Sequence, residues 1–246
     1  MGQSAMSDQL NGWLYRTGRR TLTSFSRDLD LSAVFEAGAG TGYWTSYWLD
    51  RGAARVDGCD LVAVAAERLN ERFKGVGEFV AADLGAVPFP VRGDYPTVTA
   101  MNVLLHILDN GAFARALENL ARLVRPGGHL LIADAVLVAG DPWAAETSRT
   151  RRLESFVAPL ERAGLELVRW APTTVLGADP IEARGRLEGA VSRRWWRLVI
   201  RADRHGLGRV VGPMIYVLDA LALRTGWAPS GKFVLFRRPE PGRAPA

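Results

Sequence analysis

The sequence has a single cysteine, Cys59, which excludes an intramolecular disulfide and the class of small disulfide-stabilised secreted domains. It also lacks a long uninterrupted apolar run. The stretch from Val210 to Leu223 is broken by Pro213 and Asp219, whereas a membrane-spanning helix needs about 20 apolar residues. The first 12 residues show no secretory signal pattern. We therefore expect a cytoplasmic protein without a transmembrane segment.

Lysine is scarce as well, because only Lys74 and Lys232 are lysines among 31 cationic residues. Charged residues make up 23% and hydrophobic residues 48% of the 246 residues, which excludes disorder and collagen-like repeats and supplies a sizeable core. A chain of this length falls between one and two ordinary domains. The composition predicts one globular core with an inserted or appended part.

The positive charge is concentrated at one end of the chain. Residues 181–246 contain 13 Lys plus Arg against 5 Asp plus Glu, a net charge of +8, while the whole chain carries only +5. The preceding residues are therefore slightly acidic. This distribution indicates an anionic partner for the last quarter of the chain.

Strand and helix patterns alternate from residue 33 to residue 170, which predicts an α/β fold with a doubly wound parallel sheet. The predicted strands are 33–36, 55–60, 78–82, 97–101, 129–134, 165–170 and 232–237, and the predicted helices are 43–49, 62–73, 111–123 and 149–163. The Pro-Gly-Gly at 126–128 is typical of a helix end followed by a strand.

The same reading predicts four parts. Residues 1–29 form an N-terminal helical extension, and residues 30–172 with 230–238 form the Rossmann-like core. Residues 173–229, where the strand rhythm stops, form a helical insertion before the last strand, and residues 239–246 form a flexible tail.

A glycine-rich turn follows the first strand. Glycine stands at Gly38, Gly40 and Gly42, a pattern that lets a ligand approach the backbone and the start of the next helix. The dinucleotide fingerprint needs a small residue where Tyr43 stands, and no G-K-[ST] follows, so pyrophosphate and triphosphate sites are disfavoured. Glu36 places a carboxylate beside the turn, which suits a cationic amine.

Acidic residues end the next two strands. Asp60, followed by Leu61, lies 22 residues beyond the first glycine of the turn, where an acid accepts hydrogen bonds from both hydroxyls of a ribose. Asp57 is the competing candidate, although strand alternation places it inside the strand. Asp83, followed by Leu84, stands where an adenine amino group is bound. A surface role for either acid is the alternative.

Together these segments resemble the class I S-adenosylmethionine-dependent methyltransferases. The resemblance is carried by E-A-G-A-G-T-G at 36–42, Asp60, A-D-L at 82–84 and L-V-R-P-G-G at 123–128. It implies seven strands with the last one antiparallel and S-adenosyl-L-methionine as cofactor. It also implies that the glycine turn holds the methionine part, Asp60 the ribose and Asp83-Leu84 the adenine.

The segment after the fourth strand, from Asn102 to Asn110, is placed by this fold beside the methyl group, so Asn102 is a further cofactor-binding candidate. Val103 and Leu104 follow it instead of the Pro-Pro-aromatic run of base-flipping amino-methyltransferases, which disfavours a nucleic-acid base as acceptor. The acid that metal-dependent catechol-type enzymes place here is absent, so no metal is required.

His106 in this segment is the candidate catalytic residue. The segment resembles the V-L-x-H-I-x-D run of small-molecule and sugar methyltransferases, and a histidine takes up a proton near neutral pH. We expect methyl transfer to a small molecule or glycan, most plausibly O-methylation of a hydroxyl. A structural role for His106, N-methylation of an amine, a non-catalytic cofactor-binding protein and RNA methylation remain alternatives.

The insertion contains two helical patterns. In the first, Arg194, Arg197, Arg201 and Arg204 recur at three and four residues and form one face. Trp195, Leu198, Val199 and Ala202 are predicted to form another, and Trp195, Trp196, Met214 and Tyr216 to shape the acceptor pocket. The arginine row indicates an acidic or phosphorylated acceptor, or an anionic membrane surface with a lipid-linked one. A solvated face or an oligomer contact is the alternative, and no oligomeric state is indicated.

Overall fold

The structure is a computed structural model that describes residues 6–241. It contains seven α-helices and nine strands in this part of the chain. The helices are α1 (Asp8–Phe25), α2 (Tyr43–Asp50), α3 (Ala63–Arg72), α4 (Asn110–Leu123), α5 (Glu154–Arg162), α6 (Arg186–Arg204) and α7 (Gly208–Ala222). The strands are β1 (Val34–Ala37), β2 (Val56–Asp60), β3 (Phe79–Ala81), β4 (Tyr95–Met101), β5 (Val124–Asp134), β6 (Val136–Leu137), β7 (Arg151–Arg152), β8 (Glu166–Pro172) and β9 (Lys232–Arg237).

Seven strands form one sheet in the order β3-β2-β1-β4-β5-β9-β8. The neighbours from β3 to β5 are parallel. The end of β9 lies beside the start of β5, because Arg238 donates to the Gly128 carbonyl at 2.9 Å. The start of β9 lies beside the end of β5, where Lys232 Nζ approaches the Val136 carbonyl at 3.5 Å. β9 is therefore antiparallel to β5, and the predicted Rossmann-like seven-stranded fold is confirmed.

Residues 6–241 separate into two compact units. The helical unit consists of the chain up to Arg27, Ala135–Pro142 and Ala171–Phe233, and the sheet unit consists of Asp28–Asp134, Trp143–Trp170 and the chain from Val234 onward. Strands β1, β2 and β4 are almost completely buried, as is typical of parallel strands that helices cover on both faces. Their carboxyl ends therefore meet at one edge of the sheet.

The helical unit is built on close packing of α1 and α7. The Trp13 ring lies against Gly212, where a side-chain Cβ would come within 2.5 Å of it, and it packs on Tyr216 with ring centroids 5.7 Å apart. A buried cluster of Leu10, Trp196, Val199 and Ile215 joins α1, α6 and α7. The insertion helices thus have a core of their own with the N-terminal helix.

A buried ion pair fixes the segments around β9. Lys232 Nζ lies 2.8 Å from Glu182 Oε1, and the two side chains are 0% and 4% exposed. Glu182 also accepts hydrogen bonds from the backbone N–H groups of Val138 and Ala139. Burial lowers the pKa of Lys232, and the Glu182 carboxylate opposes this effect. The pair joins three separate stretches of the helical unit.

The largest boundary differences from the sequence prediction lie at the starts of β5 and α5. β5 begins at Val124 instead of 129, because a register shift opposite Tyr95 to Thr97 and a left-handed Gly127 (φ 76°) accommodate the Pro-Gly-Gly. α5 begins at Glu154 instead of 149, because Arg151–Arg152 forms the short strand β7. α1 continues without a break to Phe25. Of the predicted tail at 239–246, residues 242–246 lie outside the described residues.

Candidate active site

The glycine turn between β1 and α2 adopts a path that requires glycine. Gly38, Gly40 and Gly42 have φ angles of 68°, 55° and 76°, in the left-handed region that other L-residues rarely occupy. A Cβ on Gly38 would also lie 2.4 Å from a methyl carbon of Val103. The turn leads directly into the first residues of α2, whose backbone N–H groups have no helical partner.

Asp60 is fixed against this turn at the end of β2. One carboxylate oxygen accepts a hydrogen bond from the Gly40 N–H at 2.8 Å, and the other accepts from the Val62 N–H at 3.0 Å. Each oxygen retains acceptor capacity for a further donor. The side chain of the next residue, Leu61, is 72% exposed.

Glu36 lies inside β1 and is 1% exposed. Its Oε2 accepts a hydrogen bond from Thr45 Oγ1 at 2.6 Å, whereas its buried Oε1 has no hydrogen-bond partner. Burial raises the pKa of Glu36 to about 8, an effect that Thr45 opposes and the Asp60 charge increases. Oε1 is therefore a buried oxygen without a partner, and a ligand ammonium placed beside it would pair with it and stabilise the ionised carboxylate.

The raised pKa of Glu36 makes a prediction about stability. Because the folded-state pKa is about 8 and the ordinary value is 4.5, the stabilisation is complete below pH 4.5 and is lost as the pH rises through 8. The expected loss is ~3 kcal/mol or more, since one pKa unit corresponds to about 1.4 kcal/mol. Glu36→Gln cannot ionise and should show a flatter pH dependence of the free energy of unfolding.

Urea unfolding of both proteins between pH 5 and pH 9 measures this difference. Other titrating groups contribute to both curves, so the difference between wild type and Glu36→Gln is the informative quantity. Parallel curves would show that Glu36 is ionised in the folded chain.

The loop after β3 carries Asp83 and Leu84. Asp83 is exposed and accepts a hydrogen bond from the Gly85 N–H at 2.8 Å, and Leu84 is buried. Asn119 of α4 donates to the carbonyl oxygens of Leu84 and Ala86 at 2.8 and 3.0 Å. This buried amide holds the loop in place, and the sequence reading did not identify it.

Asn102 directly follows β4 and has φ 56°, the only positive φ outside glycine among residues 6–241. Its backbone N–H donates to the Ala133 carbonyl at 2.6 Å, and the residue is exposed. A left-handed asparagine is a strained position that structures retain mainly at functional sites. Here it turns the chain sharply away from the sheet at the edge where Asp60 ends β2.

His106 ends a short 3-10 turn, Leu104–His106, and is exposed. Its Nδ1 lies 2.7 Å from the Thr147 carbonyl oxygen. Because a carbonyl oxygen only accepts hydrogen bonds, Nδ1 must carry a proton and donate it. In the neutral imidazole, Nε2 therefore has the free lone pair and is able to accept a proton from another molecule.

Two side chains from other elements hold the turn that carries His106. Asp134, buried at the end of β5, accepts a hydrogen bond from the Leu105 N–H at 3.1 Å. The Arg151 guanidinium lies 3.9 Å from the centre of the Phe113 ring and donates to the carbonyl oxygens of the turn and its end, Leu104, Ile107 and Leu108. Burial lowers the pKa of Arg151. The sequence reading placed Arg151 on a helix and assigned it no role.

The predicted site residues therefore lie in the sheet unit, at the carboxyl edge of its parallel strands. This edge is where open α/β sheets bind their ligands. The sequence-predicted residues that follow or end these strands are Gly38, Gly40 and Gly42 after β1, Asp60 and Leu61 at β2, Asp83 and Leu84 after β3, and Asn102 and His106 after β4. Among residues 6–241 no three His, Cys, Asp or Glu side chains form a metal-binding group.

The other histidines and the insertion residues lie elsewhere. His129 is half-buried in β5, where burial lowers its pKa, and His205 follows the last residue of α6. In the helical unit, Trp195 donates its indole N–H to the Leu176 carbonyl at 3.0 Å and Trp196 is buried. Their predicted contact with an acceptor stays a prediction.

Comparisons with known proteins agree with this arrangement. A family model described as a methyltransferase domain matches residues 34–128, which include the glycine turn, Asp60, Asp83, Asn102 and His106. Methyltransferase GfsG from Streptomyces halstedii is 27% identical over 175 residues. The match covers 63% of this chain and 61% of GfsG, so the chain corresponds to less than two thirds of that relative.

Two solved structures illustrate the fold similarity. The [4+2]-cyclase SpnF is 21% identical with a TM-score of 0.55, over 89% of this chain and 80% of that chain. The glycopeptide N-methyltransferase MtfA, solved with S-adenosyl-L-methionine, is 17% identical with a TM-score of 0.51, over 63% of this chain and 80% of that chain. At these identities the likeness establishes the fold.

Proposed function

We propose that the chain is a class I S-adenosylmethionine-dependent methyltransferase and that it transfers the methyl group to a hydroxyl of a small molecule or glycan. The matched methyltransferase domain and the similarity to a methyltransferase from Streptomyces halstedii support the resemblance noted in the sequence. S-adenosyl-L-methionine is the cofactor of this family, as the sequence predicted. The proposal includes the class of the acceptor, the atom that is methylated and the role of each site residue.

The residues at the carboxyl edge of the sheet fit this cofactor. The unpartnered Oε1 of Glu36 is an acceptor for the ammonium of its methionine part, beside a glycine turn that leaves room for it. The anchored Asp60 carboxylate has acceptor capacity for two ribose hydroxyls, and exposed Leu61 offers an apolar surface to the base. Asp83 and Asn102 stand at the ends of the neighbouring strands. The cofactor supplies an electrophilic methyl group on a sulfonium.

The single observation that favours a hydroxyl acceptor is the orientation of His106. Its Nδ1 is committed to the Thr147 carbonyl, so Nε2 is the nitrogen available to take the hydroxyl proton. Asp134 and Arg151 keep the His106 turn in one position, so little reorganisation is needed when an acceptor binds. An alcohol is a weak nucleophile and gains from this base, whereas a neutral amine already has a lone pair to attack with.

The experiment uses methyl-labelled S-adenosylmethionine with matched pairs of acceptors that differ only in bearing a hydroxyl or an amine. We expect label on oxygen, together with an equal amount of S-adenosylhomocysteine. Label found only on the amines would show that the chain methylates an amine nitrogen instead of a hydroxyl. Tight binding of S-adenosylmethionine without transfer to any member of the panel would favour a non-catalytic cofactor-binding protein.

A further inference from the structure

Helix α7 exposes an apolar face to solvent. Five apolar side chains recur along it at the three- and four-residue spacing of one helix face, and they are 40–65% exposed. They are Val210, Met214, Val217, Leu218 and Leu221. The opposite face, with Gly212 and Ile215, is buried in the helical unit. The helix is therefore apolar on both sides, a pattern that water-exposed helices do not ordinarily have.

Helices α6 and α7 form a hairpin, residues 186–224, in which the positively and the negatively charged side chains have different environments. All eight arginines between residues 186 and 224 are exposed: Arg186, Arg193, Arg194, Arg197, Arg201, Arg204, Arg209 and Arg224. The predicted arginine face of α6 is thus present at the surface. Leu198, predicted on another face with Trp195, Val199 and Ala202, is instead 54% exposed, because α6 buries Trp196 and Val199.

The three acidic residues of this stretch are each engaged by a neighbour. Glu188 accepts from the Trp227 indole N–H at 2.9 Å, and Asp203 accepts from the Ser7 backbone N–H at 2.7 Å. Asp219 is completely buried and accepts from two backbone N–H groups, those of Val175 and Leu176, both at 2.7 Å. The charge that α6 and α7 present outward is therefore almost entirely that of arginine.

From these two features we propose that the α6–α7 hairpin binds the surface of an anionic lipid bilayer. The apolar side chains of α7 enter the boundary between headgroups and acyl chains, and the exposed arginines contact lipid phosphates. None of the helices in residues 6–241 combines the length and apolar content needed to cross a bilayer. Helix α7, with 15 residues and a length of about 22 Å, lies in the plane of the interface.

Two other partners, a second copy of the chain and a nucleic acid, fit the exposed surface of the α6–α7 hairpin less well than a bilayer does. A second copy of the chain in a two-fold interface would bring the same arginines against one another, with no exposed acid on the hairpin to offset them. A nucleic acid would match the arginines but would leave the five apolar side chains without a partner. An anionic bilayer satisfies both features at once, and the inference is independent of the proposed methyl transfer.

The test is co-sedimentation of the whole chain with vesicles, without any substrate. Vesicles of phosphatidylcholine containing one third phosphatidylglycerol are compared with pure phosphatidylcholine vesicles, at low and at high salt. We expect at least about tenfold stronger binding to the anionic vesicles, and a large reduction of this preference at high salt.

Two surface variants separate the apolar and the charged contributions. Val217→Ser with Leu221→Ser should weaken binding about tenfold at both salt concentrations, because the lost contact is apolar. Arg197→Gln with Arg201→Gln should weaken it only at low salt. Val64→Ser with Arg68→Gln changes comparable exposed side chains on α3 and should bind like wild type. Unchanged melting temperatures ensure that the variants are folded.

Equal binding to both kinds of vesicle, or no binding, would overturn the proposal. Sedimentation equilibrium tests whether a second copy of the chain, instead of a bilayer, covers the apolar face of α7. If the wild type is a dimer that Val217→Ser with Leu221→Ser converts to monomers, a second copy covers the apolar face and the bilayer assignment is wrong.

Discussion

Replacement of His106 by alanine is expected to lower the turnover of a hydroxyl acceptor about a hundredfold, because general-base catalysis typically contributes a factor of 10² to 10⁴. The Nε2 lone pair, which the Thr147 carbonyl orients through Nδ1, is removed with the ring. The affinity for S-adenosylmethionine should stay within about twofold. Turnover is measured as S-adenosylhomocysteine released at saturating acceptor, and binding is measured by calorimetry.

Two further variants make this result specific. His106→Gln keeps a side-chain hydrogen-bond donor but has no basic nitrogen, so its turnover should fall like that of His106→Ala. His205→Ala removes another exposed histidine, outside the site, and should keep wild-type turnover. If His106→Gln is as active as wild type, His106 acts only by holding the turn against Thr147, and the base role is wrong.

Replacement of Asp60 by alanine is expected to weaken binding of S-adenosylmethionine by roughly 2 to 4 kcal/mol, or about 30- to 1,000-fold. The variant loses the hydrogen bonds that the carboxylate would accept from the ribose. It also loses the contacts with the Gly40 and Val62 N–H groups that fix the glycine turn. Isothermal titration calorimetry at constant salt measures the affinity.

Asp60→Asn and Glu67→Ala complete the series. Asparagine retains one acceptor oxygen without the charge, so its affinity should lie between those of wild type and Asp60→Ala. Glu67 is an exposed acid of α3, and its removal should leave the affinity unchanged. Wild-type affinity in Asp60→Ala would assign the ribose to another residue, Asp57 being the competing acid. In this structure Asp57 is buried and bonded to Arg55, Tyr95 and the Glu78 N–H.

Much of the fold could be predicted from the sequence because its signals are local. The strand–helix alternation and the glycine turn depend on neighbouring residues, and the last strand was predicted at its observed bounds, Lys232–Arg237. The start of β5 was missed because Pro126 suggests a loop. The strand accommodates Pro126 through a register shift against β4. Such a shift depends on the partner strand, so the local sequence does not reveal it. The start of α5 was missed for a similar reason, since Arg151–Arg152 forms a short strand that the helical pattern of the local sequence does not reveal.

The candidate site was predicted less completely. The residues at the strand ends follow from spacing, but their environments come from distant parts of the chain. Glu36 was predicted only as a carboxylate beside the turn that suits a cationic amine, whereas burial raises its pKa to about 8 against the opposing effect of the Thr45 hydrogen bond. Arg151 supports the His106 turn across more than 40 residues of sequence. Such contacts leave no periodic signal, so the sequence offered no pattern that could reveal them.

The measurement that tests the central claim most directly is a crystal structure of the chain with S-adenosylmethionine bound. An attacking oxygen lies about 3 to 3.5 Å from the methyl carbon and about 3 Å from its base, so the methyl carbon should lie within about 6.5 Å of His106 Nε2. The ribose hydroxyls should contact Asp60. A methyl group more than about 9 Å from His106, or a ribose away from Asp60, would contradict the account.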